Sequence, residues 1–199
     1  MKRQRTEQQG KAVWGSRVGL ALVIAGTILV SSCSDAVRQG TGSSYLVMTT
    51  LTGGTDNTAT VESDVLSDEG GILQDSGQAT LTLQMKDPNG LGPSPVNSIT
   101  ITQYRVEYVR SDGRNVQGVD VPFAFSSGVT ATVDTAATVS FTLVRAQAKH
   151  EAPLRALAGH GGAQHINTVA RVTFYGRDQT GREVSVTGNI EVSFADWAG

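Results

Sequence analysis

From Ser44 onward the chain is written in short runs of alternating side chains, each closed by a turn signal. In the run Gln78–Lys86, Leu81, Leu83 and Met85 share one parity and Thr80, Thr82 and Gln84 the other. A period of two sends one set to a core and the other to water, as a half-buried strand requires. Tyr45–Leu51 reads as a strand stopped by Gly53-Gly54, and Thr60–Leu66 as a weaker one. Residues 67–77 form an acidic, glycine-rich loop, and Asp87-Pro88-Asn89-Gly90 is a turn, because Pro presets φ and Asn-Gly tolerates positive φ.

Residues 98–110 are long for one strand and change phase. Ile99 and Ile101 share one parity, whereas Tyr104, Val106 and Tyr108 share the other. A β-bulge or sharp bend near Gln103 would keep both sets on the core side. After the turn Ser111-Asp112-Gly113, Val119–Phe125 is expected to be a short edge strand interrupted by Pro122. Val129–Val133 and Val139–Leu143 are further alternating runs. Lys149–Ala158 is the one helical-looking patch, with Pro153 inside it and Gly159 ending it, followed by a loose loop to about Asn167. Thr168–Tyr175 and Glu183–Ala195 flank Asp178-Gln179-Thr180-Gly181 as a hairpin. In the last strand Val184, Val186, Ile190, Val192 and Phe194 share one face, with Gly188 between them.

Seven to nine short strands without a βαβ rhythm predict an all-β chain, an antiparallel sandwich of two sheets. Ile101-Thr102-Gln103-Tyr104-Arg105-Val106-Glu107-Tyr108, followed by Ser111-Asp112-Gly113, resembles the third strand of fibronectin type III domains. Ala170 to Gly181 resembles the penultimate strand and final turn of immunoglobulin-like folds. The resemblance covers about thirty residues and implies an immunoglobulin-like or fibronectin-III-like sandwich. The sequence departs from those families in having no cysteine pair, no marking tryptophan and no tyrosine-corner motif. The part after residue 32 also resembles small bacterial lipoproteins of unassigned function.

The N-terminal segment differs in kind. Lys2, Arg3, Arg5, Lys11 and Arg17 stand against the single acid Glu7, and Val18–Val30 carries no charge. That apolar run suits a helical signal-peptide h-region and falls short of the ~20 residues of a spanning helix. The alternative is an uncleaved anchor helix with an incidental cysteine. Val30-Ser31-Ser32-Cys33 resembles the bacterial lipobox, which implies cleavage after residue 32 and acylation of Cys33. Cys33 is the only cysteine, and acylation would remove a free thiol from an oxidising compartment. The expected organisation is a signal peptide 1–32, a flexible tether 33–43 and one β-sandwich domain 44–197, with extra strands at its N-terminal end. Ser34, where an aspartate would resemble an inner-membrane retention signal, directs the expectation to the outer membrane.

Of 16 basic and 18 acidic residues, five and one precede residue 33, leaving 11 against 17 and a net charge of −6. That balance argues against nucleic acid as a partner. No Gly-x-Ser-x-Gly elbow occurs, no Asp-x-Asp-x-Asp spacing appears, and no catalytic constellation emerges. No cofactor and no metal site are expected. The residues that come nearest to one are His160 and His165, flanking a glycine-rich loop, and Asp64, Asp68 and Asp75 in an acidic stretch. Trp197, near the C-terminus, reads as a cap on the open end of the sandwich or as a binding anchor. The expected function is non-catalytic: an envelope protein held to a bacterial membrane by acylated Cys33 that contacts another envelope protein or serves a structural role at the cell surface. The alternative is an envelope lipoprotein that binds calcium, zinc or a small ligand.

Overall fold

The computed structural model describes residues 42–54, 57–67, 70–90 and 92–197. The expected signal segment, Cys33, nearly all of the tether, and Asp68 lie outside them. Eight strands account for most of the described chain: β1 (Ser44–Gly53), β2 (Thr60–Asp64), β3 (Asp75–Met85), β4 (Ile99–Val109), β5 (Phe125–Val133), β6 (Ala136–Val144), β7 (Ile166–Asp178) and β8 (Glu183–Ala195). A four-residue helix, α1 (Ala146–Lys149), precedes the expected helical patch and overlaps it only at Lys149, and a 3-10 turn (Leu154–Leu157) lies within it. No helix among the described residues is long and apolar enough to cross a membrane.

The strands form two sheets with orders β1-β3-β6 and β2-β8-β7-β4-β5, arranged as a sandwich. The bulge expected near Gln103 is present. Pairing of β4 with β7 runs from Ile101↔Gly176 to Gln103↔Tyr175, so β4 holds one extra residue. That residue reverses the parity of the strand, and Ile99, Ile101, Tyr104, Val106 and Tyr108 are all buried. Gly176 lies beside this point, where an added Cβ would stand 2.4 Å from the Thr100 carbonyl oxygen.

One pairing departs from the antiparallel expectation: β2 runs parallel to β8, from Thr60↔Glu191 to Asp64↔Ala195. The reason is that β1 pairs with β3 in the first sheet, after which the chain crosses at Gly53-Gly54 and continues upward in the second sheet. β8 runs in that same direction, so a strand that changes sheets without reversing must lie parallel to it. The crossing needs close approach. A Cβ on Gly53 would stand 1.8 Å from Val61 Cγ2.

A second departure concerns Val119–Phe125, which is no strand. Only an isolated bridge, Gln117↔Val121, occurs there, and β5 begins at Phe125. The amides of Val119, Asp120 and Val121 all turn back onto the carbonyl of Val116, so local bonds replace the ladder that alternation alone suggested. β3 also starts earlier than its alternation, at Asp75.

The core is an aromatic cluster between the sheets. Tyr104 packs on Phe125, Phe141 and Phe174 with ring centroids 6.2, 5.4 and 5.9 Å apart, and Phe141 meets Phe174 edge-on at 5.4 Å. Such pairs add about 0.5–1.5 kcal/mol each beyond area burial. Both tyrosines of β4 place their hydroxyls on β6 in the opposite sheet. The Thr142 amide donates to Tyr104 Oη (3.1 Å), and Tyr108 Oη donates to the Leu143 carbonyl (2.7 Å).

Burial pushes the Tyr108 phenol well above the tyrosine range, and the negative charge of Asp75 adds to the effect. The folded chain therefore keeps a proton that the unfolded chain releases near its ordinary value of 10.0. The stability tied to it is present below that pH and declines as pH rises beyond it. Tyr108→Phe should cost about 1 kcal/mol at neutral pH through the lost hydrogen bond. It should also flatten the loss of stability above pH ~10, which urea midpoints at pH 7 and pH ~11 would reveal.

Candidate functional site

The strand directions give the sandwich two poles. At one, the chain enters at Ser43, whose carbonyl accepts the Lys86 amide (2.9 Å) and whose Oγ accepts from Asn97 Nδ2 (2.9 Å). The β7–β8 turn shares this pole. There Asp178 Oδ1 accepts from the amides of Thr180 and Arg182 at 3.0 and 2.9 Å and from Thr180 Oγ1 at 2.6 Å. Burial pushes the Asp178 carboxyl up, but these hydrogen bonds and the Arg182 charge together bring it below its usual value.

The opposite pole gathers the 110–124 loop after β4, the 145–165 segment after β6, and Trp197 after β8. The loop is held by its own hydrogen bonds. Asn115 Oδ1 accepts the Arg110 amide (2.6 Å), Asp120 Oδ2 the Val116 amide (3.1 Å), and Gln117 Oε1 the Ala124 amide (3.1 Å). Asp112 bridges Arg110 (2.6 Å) and Arg114 (3.1 Å), and hydrogen bonding from Arg110 holds its carboxyl far below the usual range. Val121 is wholly buried and plugs the loop to the core. Gly118 adopts φ +76°, and the Phe123 ring lies so close that a Cβ there would stand 2.4 Å from Cζ.

This frame displays apolar surface. Val116 is 60% exposed, Val119 66% and Phe123 47%. Large apolar side chains held in water on an ordered loop are the features that mark an interaction site. Beside the loop, the Arg145 guanidinium sits 4.5 Å over the Phe125 ring. The segment that follows carries an open hollow of about 560 Å³ lined by His150, Glu151, Ala152, Arg155 and Ala156. Trp197 is partly exposed, and its ring lies against Gly162 while its amide donates to Asp64 Oδ1 (3.2 Å).

Beneath the surface of this pole lies a buried ionic latch. Lys149, at the end of α1, is 2% exposed. Its Nζ donates to the Asp64 carbonyl (2.7 Å) and reaches Asp75 Oδ2 and Oδ1 at 3.1 and 3.3 Å. Ser63 Oγ donates to the same Asp75 Oδ2 at 2.5 Å. The cluster thus ties α1 to β2 and β3 through two hydrogen bonds and an ion pair. An amine so occupied is a structural cation rather than a nucleophile. Sequence reading missed Lys149, because nothing local distinguishes a lysine that folds inward from one that points to water.

The residues considered for metal binding are spread over other duties. Asp64 Oδ1 accepts from Leu66 and Trp197 amides, and Asp75 belongs to the latch. His160 and His165 are both exposed, and the His160 ring donates from Nδ1 to the Ala158 carbonyl (3.1 Å). Among the described residues no three His, Cys, Asp or Glu side chains come together as they would around a metal ion.

No protein-family model matches the chain, and no curated protein does. Among solved structures it is similar to a Northeast Structural Genomics Consortium target, SoR45, at 10% identity over 77% of this chain and 87% of that one, with a TM-score of 0.33. It is also similar to the Pseudomonas fluorescens alkylpurine DNA glycosylase AlkC, solved with DNA containing an abasic site analog. There the identity is 12% over 90% of this chain and 40% of that one, with a TM-score of 0.30. Similarities this shallow transfer no function.

Removing one member of the latch strands the other in the protein. Lys149→Ala should destabilise the fold by about 3–5 kcal/mol, whereas Lys149→Met with Asp75→Leu should cost markedly less. Thermal or urea unfolding of the three proteins checks the order.

Proposed function

We propose that this chain is a lipid-anchored protein of the bacterial cell envelope whose immunoglobulin-like sandwich docks another protein through the pole bearing Val116, Val119 and Phe123. The observation that carries the docking reading is the self-bonded 110–124 loop, which keeps three apolar side chains in water. Folding favours burying such groups, so an ordered loop that displays them is adapted to a second surface. The strand order supports the immunoglobulin-like reading. The β1-β3-β6 sheet takes the place of strands A, B and E, and β8-β7-β4-β5 that of G, F, C and C′.

The anchor reading rests on the basic head, the uncharged Val18–Val30 and the lipobox-like Val30-Ser31-Ser32-Cys33. The polarity of the sandwich suits it. Residue 43 enters at the pole opposite the apolar loop, and strands of 11–13 residues separate the two poles by roughly 40 Å. Ser34 directs the anchor to the outer membrane, and the net charge of −6 after residue 32 disfavours nucleic acid.

Two measurements test the reading. Intact mass should show a chain beginning at Cys33 with added diacylglycerol, and Cys33→Ala should leave an unprocessed or soluble protein. A variant that matures and pellets with membranes despite that change would refute the anchor. A photo-crosslinking residue at Val119 should form adducts in living cells that disappear when Phe123→Asp is added. Unchanged adducts would refute docking by this loop.

A further inference from the structure

We infer that Asn89 is a modification site of this chain, deamidated spontaneously when the Gly90 amide nitrogen closes onto the Asn89 side-chain carbonyl. The step forms one bond, from Gly90 N to Asn89 Cγ, and breaks another, from Cγ to Nδ2. The proton of the Gly90 amide departs with the Nδ2 amino group as ammonia, leaving a five-membered cyclic imide. Water then opens the imide at either carbonyl. Attack at Cγ gives aspartate, and attack at the main-chain carbonyl gives isoaspartate, whose backbone runs through the side-chain carbon. Water is the only co-reactant consumed. The chemistry is independent of both the anchor and the docking loop.

The chain has six asparagines, and sequence and structure together single out this one. Ring closure needs a following residue without a Cβ, a side chain free to swing onto the next amide, and a backbone outside the sheet ladders. Asn97 is held, since its Oδ1 accepts from the Ser94 amide (3.0 Å) and hydroxyl (2.8 Å) and its Nδ2 donates to Ser43 Oγ. Asn115 Oδ1 accepts the Arg110 amide (2.6 Å), and the β-branched Val116 follows it. Asn167 and Asn189 lie within β7 and β8, ahead of the β-branched Thr168 and Ile190. Asn57 precedes Thr58, so Asn89 is the one asparagine followed by glycine.

The turn opens the reacting groups to water. Residues 86–90 are all exposed, between the end of β3 and the start of β4. Asp87 Oδ1 accepts the Asn89 amide at 2.9 Å, whereas the Gly90 amide reaches the Asp87 carbonyl only at 3.3 Å. The attacking nitrogen is thus weakly held at the tip of a turn, where local opening costs least. A Cβ built on Gly90 would meet nothing nearer than the Asp87 carbonyl oxygen at 3.4 Å, an ordinary contact. Gly90→Ala therefore fits the turn and still hinders closure, which separates the chemistry from the fold.

The product alters the surface and leaves the core alone. It places a second carboxylate beside Asp87 and takes the charge after position 32 from −6 to −7. The new charge falls on the entry pole, where the Lys86 amide donates to the Ser43 carbonyl. One fold therefore comes to exist as two charge forms.

The full chain, kept in non-ionic detergent at pH ~8 and about 37 °C for about two weeks, should gain about 1 Da and a more acidic band on isoelectric focusing. Peptide mapping should place the gain at Asn89, with isoaspartate the larger fraction. Gly90→Ala should slow the conversion roughly tenfold, and Asn89→Gln should remove it, with the melting temperature of both variants unchanged. An Asn89 peptide of unaltered mass, conversion that falls first on another asparagine, or a Gly90→Ala chain that converts at the wild-type rate would each overturn the inference.

Discussion

Two tyrosines on one strand hold the sandwich together. Tyr104 and Tyr108 project from β4 into the space between the sheets and place their hydroxyls on the backbone of β6 opposite. Each therefore contributes a large apolar ring to the core and satisfies its own polar tip there, so neither leaves an unpaired group in a dry interior. Phe125, Phe141 and Phe174 close around Tyr104, and Phe194 meets Tyr108 at 5.6 Å. The arrangement depends on the extra residue that the bulge inserts between Ile101 and Gln103. Without it, either the two isoleucines or the two tyrosines would face water.

That central contact leaves the ends of the sandwich to be closed by other means, and the two poles solve the problem differently. The entry pole uses tight turns, with Asp178 collecting the amides of Thr180 and Arg182. The far pole is spanned by irregular chain, and irregular chain must satisfy its own backbone groups. Asp120, Asn115 and Gln117 do so inside the 110–124 loop, and Lys149 reaches from the segment after β6 to satisfy the Asp64 carbonyl at the end of β2. Once the loop is self-sufficient in hydrogen bonds, its apolar side chains are no longer needed for the fold. Val121 alone is drawn into the core, while Val116, Val119 and Phe123 stay on the surface.

Much of this architecture could be read from local pattern. The bulge in β4 was legible because a parity change between Ile101 and Tyr104 has few other physical remedies. The β7–β8 hairpin was legible because Asp178, Thr180 and Gly181 are turn formers between two alternating runs. What misled was alternation without a ladder. Val119, Val121, Phe123 and Phe125 repeat every second residue, yet Val121 and Phe125 are buried while Val119 and Phe123 are displayed on a closed loop. Gly118 and Pro122 were the available signals that a strand would not form there. The parallel β2–β8 pair was not legible, since the direction of a strand after a sheet switch depends on where the chain crosses.

By itself, the sequence determined the strand content, the sites of reversal, the need for a bulge in β4, and the separate character of the segment ending at Cys33. All of these follow from neighbours along the chain, through periodicity, turn chemistry and runs of charge. Only the tertiary structure decided that Lys149 turns inward, that it pairs with Asp75, and that the apolar loop, the hollow and Trp197 share one pole. Those facts join residues as far apart as Asp64 and Trp197. Such contacts depend on which strand ends the sheet order brings together, and no local rule contains that information.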